Sequence, residues 1–256
     1  SSPLILASKE FGSGKPLVIL HGLFGFSDNW KTQAKVLSGY FRVVLVDLRN
    51  HGRSAWDDIH DYTSMAQDVL ETMDYLEIKE AHIIGHSMGG KVAMHLTQMY
   101  PKRVSKCVIV DMGIKSYPMH HQELIAAMKS VPLEDFKARS QVNTYLLDLI
   151  PEEGVRQFLL KNLYWIEKGK LAWRMNLSIL EQAMGKILEA LPEQEVLNSS
   201  LFVRGGNSNY ILDADMTGIE ERFLDVEFVT IDGSGHWVHA EAMDEFLEQT
   251  LSFLLR

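Results

Sequence analysis

The segment Gly85-His86-Ser87-Met88-Gly89 limits what this chain can become more than any other stretch. It follows the apolar run Ala81-His82-Ile83-Ile84 and precedes an amphipathic stretch opening Gly90-Lys91-Val92-Ala93. That order reads as strand, tight turn and helix, with a serine at the tip of the turn. Side chains at the two flanking positions would collide with the adjoining strand and helix. Glycine removes the collision and tolerates the unusual backbone angles. The serine is then pushed outward, its hydroxyl above the sheet and a helix N-terminus behind it, where an attacking oxygen should sit. A Gly-x-Ser-x-Gly match arises by chance in roughly one chain in ten of this size. The strand before it and the helix after it therefore carry the argument against an ordinary glycine-rich turn.

The rest of the chain supplies a setting for such a turn. At 256 residues there is room for one α/β domain, or for a core plus an insertion. The net charge of −9 argues against nucleic acid or an anionic membrane as the main partner. No apolar run reaches a transmembrane length, and Ser1-Ser2-Pro3-Leu4-Ile5 does not read as a signal peptide. Cys107 is the only cysteine, so no internal disulfide forms; this fits a reducing, cytoplasmic compartment. It lies in the apolar run 104–110 and reads as a small core residue, not a nucleophile.

Strands and helices alternate through the first half. Residues 16–20 read as a short strand ending in the loop His21-Gly22-Leu23-Phe24-Gly25, and 29–37 as a helix. Residues 42–47 read as a buried, valine-rich strand followed by the polar loop Arg49-Asn50-His51-Gly52-Arg53-Ser54. Tyr62, Met65, Ala66, Val69, Leu70, Met73 and Leu76 recur at helical spacing. Ser64 to Gln67 fits a capping box for that helix, and Asp61 is the alternative cap. Residues 104–111 form the next strand. From 113 to 195 the periodicity is helical, with no good strand. The chain therefore divides into a core, 1–112 and 196–256, and a helical insertion, 113–195. Strands at 201–204 and 226–231 and a final helix carrying Met243, Phe246, Leu247 and Leu251 restore the alternation. Alternating β and α elements imply a mostly parallel sheet covered on both faces.

In such a sheet, reactive groups gather at the carboxyl ends of the strands. A serine there needs a base, and a histidine supplies it by accepting the hydroxyl proton. Of ten histidines, His236 is the best placed: it follows the last strand in the flexible run Asp232-Gly233-Ser234-Gly235-His236-Trp237. His239 falls in the first turn of the final helix, and the His86 side chain should point away from the attack direction. His21 and His51 flank the site as structural or substrate-adjacent residues; Phe24 and Trp237 are also expected beside the substrate. The histidine in turn needs an acid to fix its tautomer and stabilise the imidazolium. The loop Gly205-Gly206-Asn207-Ser208-Asn209 has no carboxylate before Asp213 and Asp215, which look like a helix start. Asp111 ends the strand Val108-Ile109-Val110 beside the serine's strand and is favoured over Asp213. The competing reading of Asp111 is a loop anchor that bonds backbone amides. The oxyanion donors should be the backbone N–H groups of Met88 and Leu23.

Together these residues resemble the α/β-hydrolase superfamily, most of all the small bacterial esterases of the YbfF type and related abhydrolase-domain proteins. The phrases that carry the resemblance are His21-Gly22-Leu23-Phe24-Gly25, Asp47-Leu48-Arg49-Asn50-His51-Gly52, Gly85-His86-Ser87-Met88-Gly89-Gly90-Lys91 and Gly235-His236-Trp237-Val238-His239-Ala240-Glu241. Arg-Asn-His-Gly discriminates best, because many other members have glycine where Asn50 stands. The resemblance implies an α/β-hydrolase fold with a helical lid inserted after the sixth strand. It implies hydrolysis of carboxylic esters, possible extension to acyl-CoA thioesters, and an acid after the sixth strand, hence Asp111. It implies no metal or organic cofactor, a small-molecule substrate, and a monomer or weak homo-oligomer. Lys91 or Lys115 could meet a CoA phosphate, although exposed lysines are usually just solvated. The Tyr, Trp, Met and Leu side chains of the insertion suggest an apolar acyl pocket, or simply pack it onto the core. Two other readings stay open: a carbon–carbon bond hydrolase or lyase on the same triad, and a ligand receptor that retains the triad. Dehalogenases and epoxide hydrolases are disfavoured, since they need an aspartate where Ser87 stands.

Overall fold

Alternate residues of one short strand face opposite sides of a sheet, and in Pro16–Leu20 both sides are buried. Leu17 and Ile19 join one hydrophobic cluster, while Val18 and Leu20 join the other. This two-faced burial sets the architecture of the computed structural model, which describes residues 2–256. The chain opens with strand β1 (Ser8–Phe11) and β2 (Pro16–Leu20). Helix α1 (Lys31–Leu37), preceded by a 3-10 turn, leads to β3 (Arg42–Val46). Next come α2 (Tyr62–Tyr75), β4 (Ala81–His86), α3 (Met88–Met99) and β5 (Val104–Val110). Asp61 caps α2, its carboxylate accepting the Ser64 N–H at 2.8 Å.

The stretch after β5 holds helices α4 (Gln122–Ser130), α5 (Arg139–Leu146) and α6 (Glu153–Leu160). Strands β6 (Leu163–Glu167) and β7 (Lys170–Trp173) then form an antiparallel hairpin, followed by α7 (Leu177–Gln182) and α8 (Met184–Ile187). The expectation of helices without a strand between 113 and 195 is corrected by that hairpin. Its turn is Lys168-Gly169, with Gly169 at φ 84°, and two-residue turns of this kind join strands directly. The run Leu163-Tyr164-Trp165 was too short to separate from a helix by periodicity alone. β8 (Ser200–Gly205), α9 (Met216–Arg222), β9 (Val226–Ile231), α10 (Val238–Glu241) and α11 (Met243–Leu254) complete the chain.

The seven-stranded sheet runs β1-β3-β2-β4-β5-β8-β9, parallel except for β1, which pairs antiparallel with β3. β1 was not foreseen: its sequence, Ser-Lys-Glu-Phe, is polar, and only the exposed edge of β3 makes it a strand. The expectation of helices placed after a sixth strand is corrected in its count: the stretch 113–195 follows β5, the fifth strand along this chain and the one with Asp111 at its end. α2 and α3 cover one face of the sheet, and α1 and α11 the other. From β2 the chain goes to β3 on one side and afterwards to β4 on the other. The order of strands therefore reverses between β2 and β4, and a crevice opens at their carboxyl ends, where ligands bind in open α/β sheets.

Candidate active site

The turn after β4 stands at that reversal. Ser87 has φ 55° and ψ −121°, a sparsely populated conformation for a residue with a side chain. The flanking glycines are obligatory on steric grounds. A Cβ on Gly85 would overlap the Gly89 carbonyl, and one on Gly89 would overlap the carbonyls of Leu20 and His21. β4 and α3 thus approach each other, and β2, too closely for any side chain. The Ser87 N–H bonds Val110 O at 3.2 Å, tying the turn to β5.

Asp111 leaves β5 at φ 50° and is fully buried. Its Oδ2 accepts from His236 Nδ1 at 2.6 Å and from the Ser208 hydroxyl, and its Oδ1 accepts the Gly205 N–H at 3.0 Å. The end of β8 and the loop after it thus each supply one donor, Gly205 N–H and the Ser208 hydroxyl, that aim a carboxylate from β5. Asp213 is elsewhere: its side chain is 88% exposed and paired with Arg204 at 2.6 Å. His236 lies on the loop after β9. Gly205 and Gly235 make its approach possible, since a Cβ on Gly205 would overlap the Gly235 carbonyl. The His236 ring stacks on Tyr210, with centroids 3.9 Å apart and planes 17° apart. Ser208 and Tyr210 were missed by sequence reasoning. A hydroxyl in a loop noted only for lacking an acid was the available signal.

The two predicted amides sit at the same crevice. Met88 opens α3, and the first N–H groups of a helix have no acceptor within it. In the loop after β2, Gly25 N–H bonds Gly22 O at 3.0 Å and Phe24 N–H bonds His51 Nε2 at 3.1 Å. The amide just before these two, that of Leu23, is left uncommitted among the described residues. Phe24 itself has φ 65°, so the His51 contact holds a strained residue in place. Since its Nε2 accepts that bond, His51 must be the tautomer that donates from Nδ1, here to Arg49 O at 2.9 Å. His21 repeats the pattern, Nε2 accepting the Leu48 N–H at 2.9 Å and Nδ1 donating to Gly22 O at 2.8 Å. Burial holds both imidazoles below the usual histidine range, and neutral rings of this kind serve as braces for the loop.

Asn50 explains its own phrase. It has φ 65°, a left-handed conformation that glycine and asparagine tolerate best. Unlike glycine, it brings a side chain: Oδ1 accepts from the Asp57 N–H at 2.8 Å and from Asn176 Nδ2 at 3.1 Å. The loop after β3 is thereby fastened to the start of α7. Arg49 beside it is buried and grips Asp68 of α2 through Nε at 2.6 Å and Nη2 at 2.8 Å.

Ser87, His236, Leu23, His21 and Trp237 all border one cavity of about 760 Å³ between the sheet's carboxyl edge and α6. Phe158 of α6 meets Trp237 across it, ring centroids 5.9 Å apart. Phe24, expected beside the substrate, is buried and points its ring edge-to-face toward His121, outside the lining. His86 also lines this cavity, its Nε2 bonding the His236 carbonyl at 2.9 Å and its ring centroid 4.7 Å from that of His236, and His239, another lining residue, is buried against Trp30 with planes 4° apart. Neither suggested lysine is free. Lys91 is buried, donates to the carbonyls of Lys115 and Glu189 at 2.9 and 2.7 Å, and is pulled down to about 8 by burial. Lys115 pairs with Asp215 at 2.8 Å. Cys107 is buried in the core, which pushes its thiol up to about 12.

A strained serine and a histidine held by a buried carboxylate at one cavity, with the Leu23 amide beside them and that of Met88 at the start of α3, form the layout of an acyl-transfer hydrolase. Comparison with known proteins agrees. The sequence pattern of the alpha/beta hydrolase fold family matches residues 15–142. Esterase YbfF of Escherichia coli (strain K12) is 36% identical over 245 residues, 94% of each chain. The sn-1-specific diacylglycerol lipase ABHD11 of Mus musculus is 36% identical, over 93% of this chain and 80% of that one. A solved marine microorganism esterase superposes with a TM-score of 0.95 at 39% identity, covering 98% of this chain and 99% of its own. The chain belongs to the alpha/beta hydrolase family and is a carboxylic ester hydrolase by class. Among the described residues, no helix is long and apolar enough to cross a membrane.

Proposed function

We propose that this chain is a serine esterase acting through Ser87, His236 and Asp111. The observation that carries the reading is the 2.6 Å bond from His236 Nδ1 to a buried Asp111, beside a cavity that both His236 and Ser87 border. With Nδ1 donating to Asp111, Nε2 is left as an acceptor facing the reaction. Ser87 Oγ bonds to the ester carbon as its proton passes to His236 Nε2. The carbonyl oxygen, now an anion, is held by the Leu23 and Met88 N–H groups, each worth about 3 kcal/mol at the transition state. The C–O bond to the alcohol then breaks, and the alcohol leaves with the proton from Nε2. Water repeats the sequence on the acyl-enzyme, giving the acid and restoring Ser87. Thioesters fit the same steps with a thiol leaving group, although Lys91 and Lys115 offer no site for a CoA phosphate. Residues 113–195 serve as the lid in this reading, with 1–112 and 196–256 as the core. A small-molecule ester in the cytoplasm is the expected substrate, acted on without cofactor.

Ser87→Ala should reduce hydrolysis of p-nitrophenyl acetate to the uncatalysed background, and a fluorophosphonate probe should label the parent chain but not the variant. Turnover near the parent level in Ser87→Ala would reject the assignment. Labelling of Ser87 without turnover of any ester would favour the receptor reading.

A further inference from the structure

Ser87 stands between two cavities of very different size. The large one, about 760 Å³, contains His236, Trp237, His239 and Ala240 in its walls. The other is a slot of about 20 Å³ on the far side of Leu23, walled by Met88, Met112, Tyr62, Ile187 and Leu188. Ser87, Leu23, His121 and Tyr210 border both, so the two cavities meet at the serine. His236 borders the large cavity and not the slot.

That asymmetry fixes which half of an ester goes where, given the serine mechanism on which this inference rests. The leaving oxygen must take its proton from His236 Nε2, so it must lie on the histidine side. The alcohol therefore extends into the large cavity. With the carbonyl oxygen at Leu23 and Met88, the remaining substituent of the carbon, the acyl chain, is directed away from His236, into the slot.

The slot is walled mainly by apolar side chains, with His120 and His121 among its other walls. Its tyrosine hydroxyls are engaged at their tips, Tyr62 donating to Ile187 O, Tyr117 to Tyr210 O at 2.7 Å, and Tyr210 bonded with His120 Nε2 at 2.9 Å. Its size is the decisive quantity. A water needs roughly 10–15 Å³ of comparable space, so the slot receives one or two non-hydrogen atoms beyond the carbonyl carbon. Lengthening the chain would require Met112, Ile187 or Leu188 to move, and all three are buried in the main hydrophobic cluster, where packing is dense.

We propose that the slot is the acyl site and restricts this enzyme to esters of two- and three-carbon acids, while the large cavity accepts bulky alcohols.

Two ester series on the purified chain test this. In the first the acyl group grows from acetyl through propionyl and butyryl to octanoyl on p-nitrophenol. In the second the acyl group stays acetyl and the alcohol grows from ethyl to octyl, followed by pH-stat titration. The expected result is a fall in kcat/KM of at least 100-fold from the best short acyl ester to the octanoate. Across the acetates the change should stay within tenfold. Leu188→Ala and Met112→Ala, each made separately, should raise the butyrate-to-acetate ratio at least tenfold; the ratio is read within one preparation, so partial loss of folded protein does not disturb it. An octanoate hydrolysed within tenfold of the acetate, or a steep fall along the alcohol series instead, would overturn the acyl-site assignment. Hydrolysis that survives Ser87→Ala would overturn the serine mechanism itself, which separates the two failures.

Discussion

Asp111→Asn changes almost no volume and removes one charge, so its effect can be worked from the contacts. The carboxylate accepts three hydrogen bonds: from Gly205 N–H, the Ser208 hydroxyl and His236 Nδ1. An asparagine that keeps its oxygen on Gly205 turns its NH2 toward Ser208 and His236. Nδ1 must then accept, the ring proton moves to Nε2, and the base can no longer receive the Ser87 proton. Flipping the amide restores the tautomer but sets an NH2 against the Gly205 N–H, which costs about 1–2 kcal/mol. The flipped form also lacks the negative charge that stabilises the imidazolium. For charges about 4 Å apart at an effective dielectric near 20, that attraction is worth about 4 kcal/mol. Together the losses come to about 5–6 kcal/mol, or about four orders of magnitude in rate. The assay is kcat on p-nitrophenyl acetate, with thermal unfolding to verify the fold. Asp213→Asn is the control: 88% exposed and, among the described residues, paired only with Arg204, it should keep at least half the activity. Retention of a tenth or more by Asp111→Asn, or an equal loss in Asp213→Asn, would refute the reasoning.

Other outcomes follow from the same contacts. Ser208→Ala removes one donor from Asp111 and leaves the rest in place, so kcat should drop about tenfold, the equivalent of about 1.4 kcal/mol, with KM little changed; an unaltered kcat would remove Ser208 from the site. Acid should weaken the fold through the buried histidines. Burial holds His60 and His239 near 3, below their ordinary 6.5, so between those values the unfolded chain binds protons that the folded chain does not. Stability present above pH 6.5 is then lost as pH falls toward 3, by about 2 kcal/mol per ring at pH 5. Urea unfolding at pH 7.5 and pH 5 measures this, and coincident midpoints would contradict it. Arg49→Met strands the buried Asp68 carboxylate and should destabilise by about 3–5 kcal/mol in the same assay, with a change under 1 kcal/mol arguing against the ion pair's role.

The helix α2, the sheet strands β2 to β5 and the turn at Ser87 are legible because their signals are local. Apolar alternation, 3.6-residue periodicity and two glycines at fixed spacing depend on nothing distant. The hairpin β6–β7 and the edge strand β1 were not legible. One is a short aromatic run that suits either structure, and the other is a polar segment made a strand only by its neighbour. For the candidate site, Ser87 and the amide of Met88 follow from the turn alone. Choosing Asp111 needed a view of which strand ends adjoin, and Ser208 and Tyr210 came only from the folded loop.

By itself the sequence determined the spacing of the elbow, because glycine's missing Cβ is a property of the residue and the clash avoided at Gly85 is with Gly89, four positions on; the clash avoided at Gly89 is with Leu20 and His21, which only the folded sheet brings near. It also determined the alternation that makes a parallel sheet. Tertiary structure alone decided what stands across space: Asp111 and Ser208 against His236, Asn50 against Asn176, a lysine buried on two carbonyls, and a slot and a cavity on either side of one serine. Those contacts join residues tens to more than a hundred positions apart, and their distances are set by how the strand order reverses and how the layers pack, which no local pattern encodes.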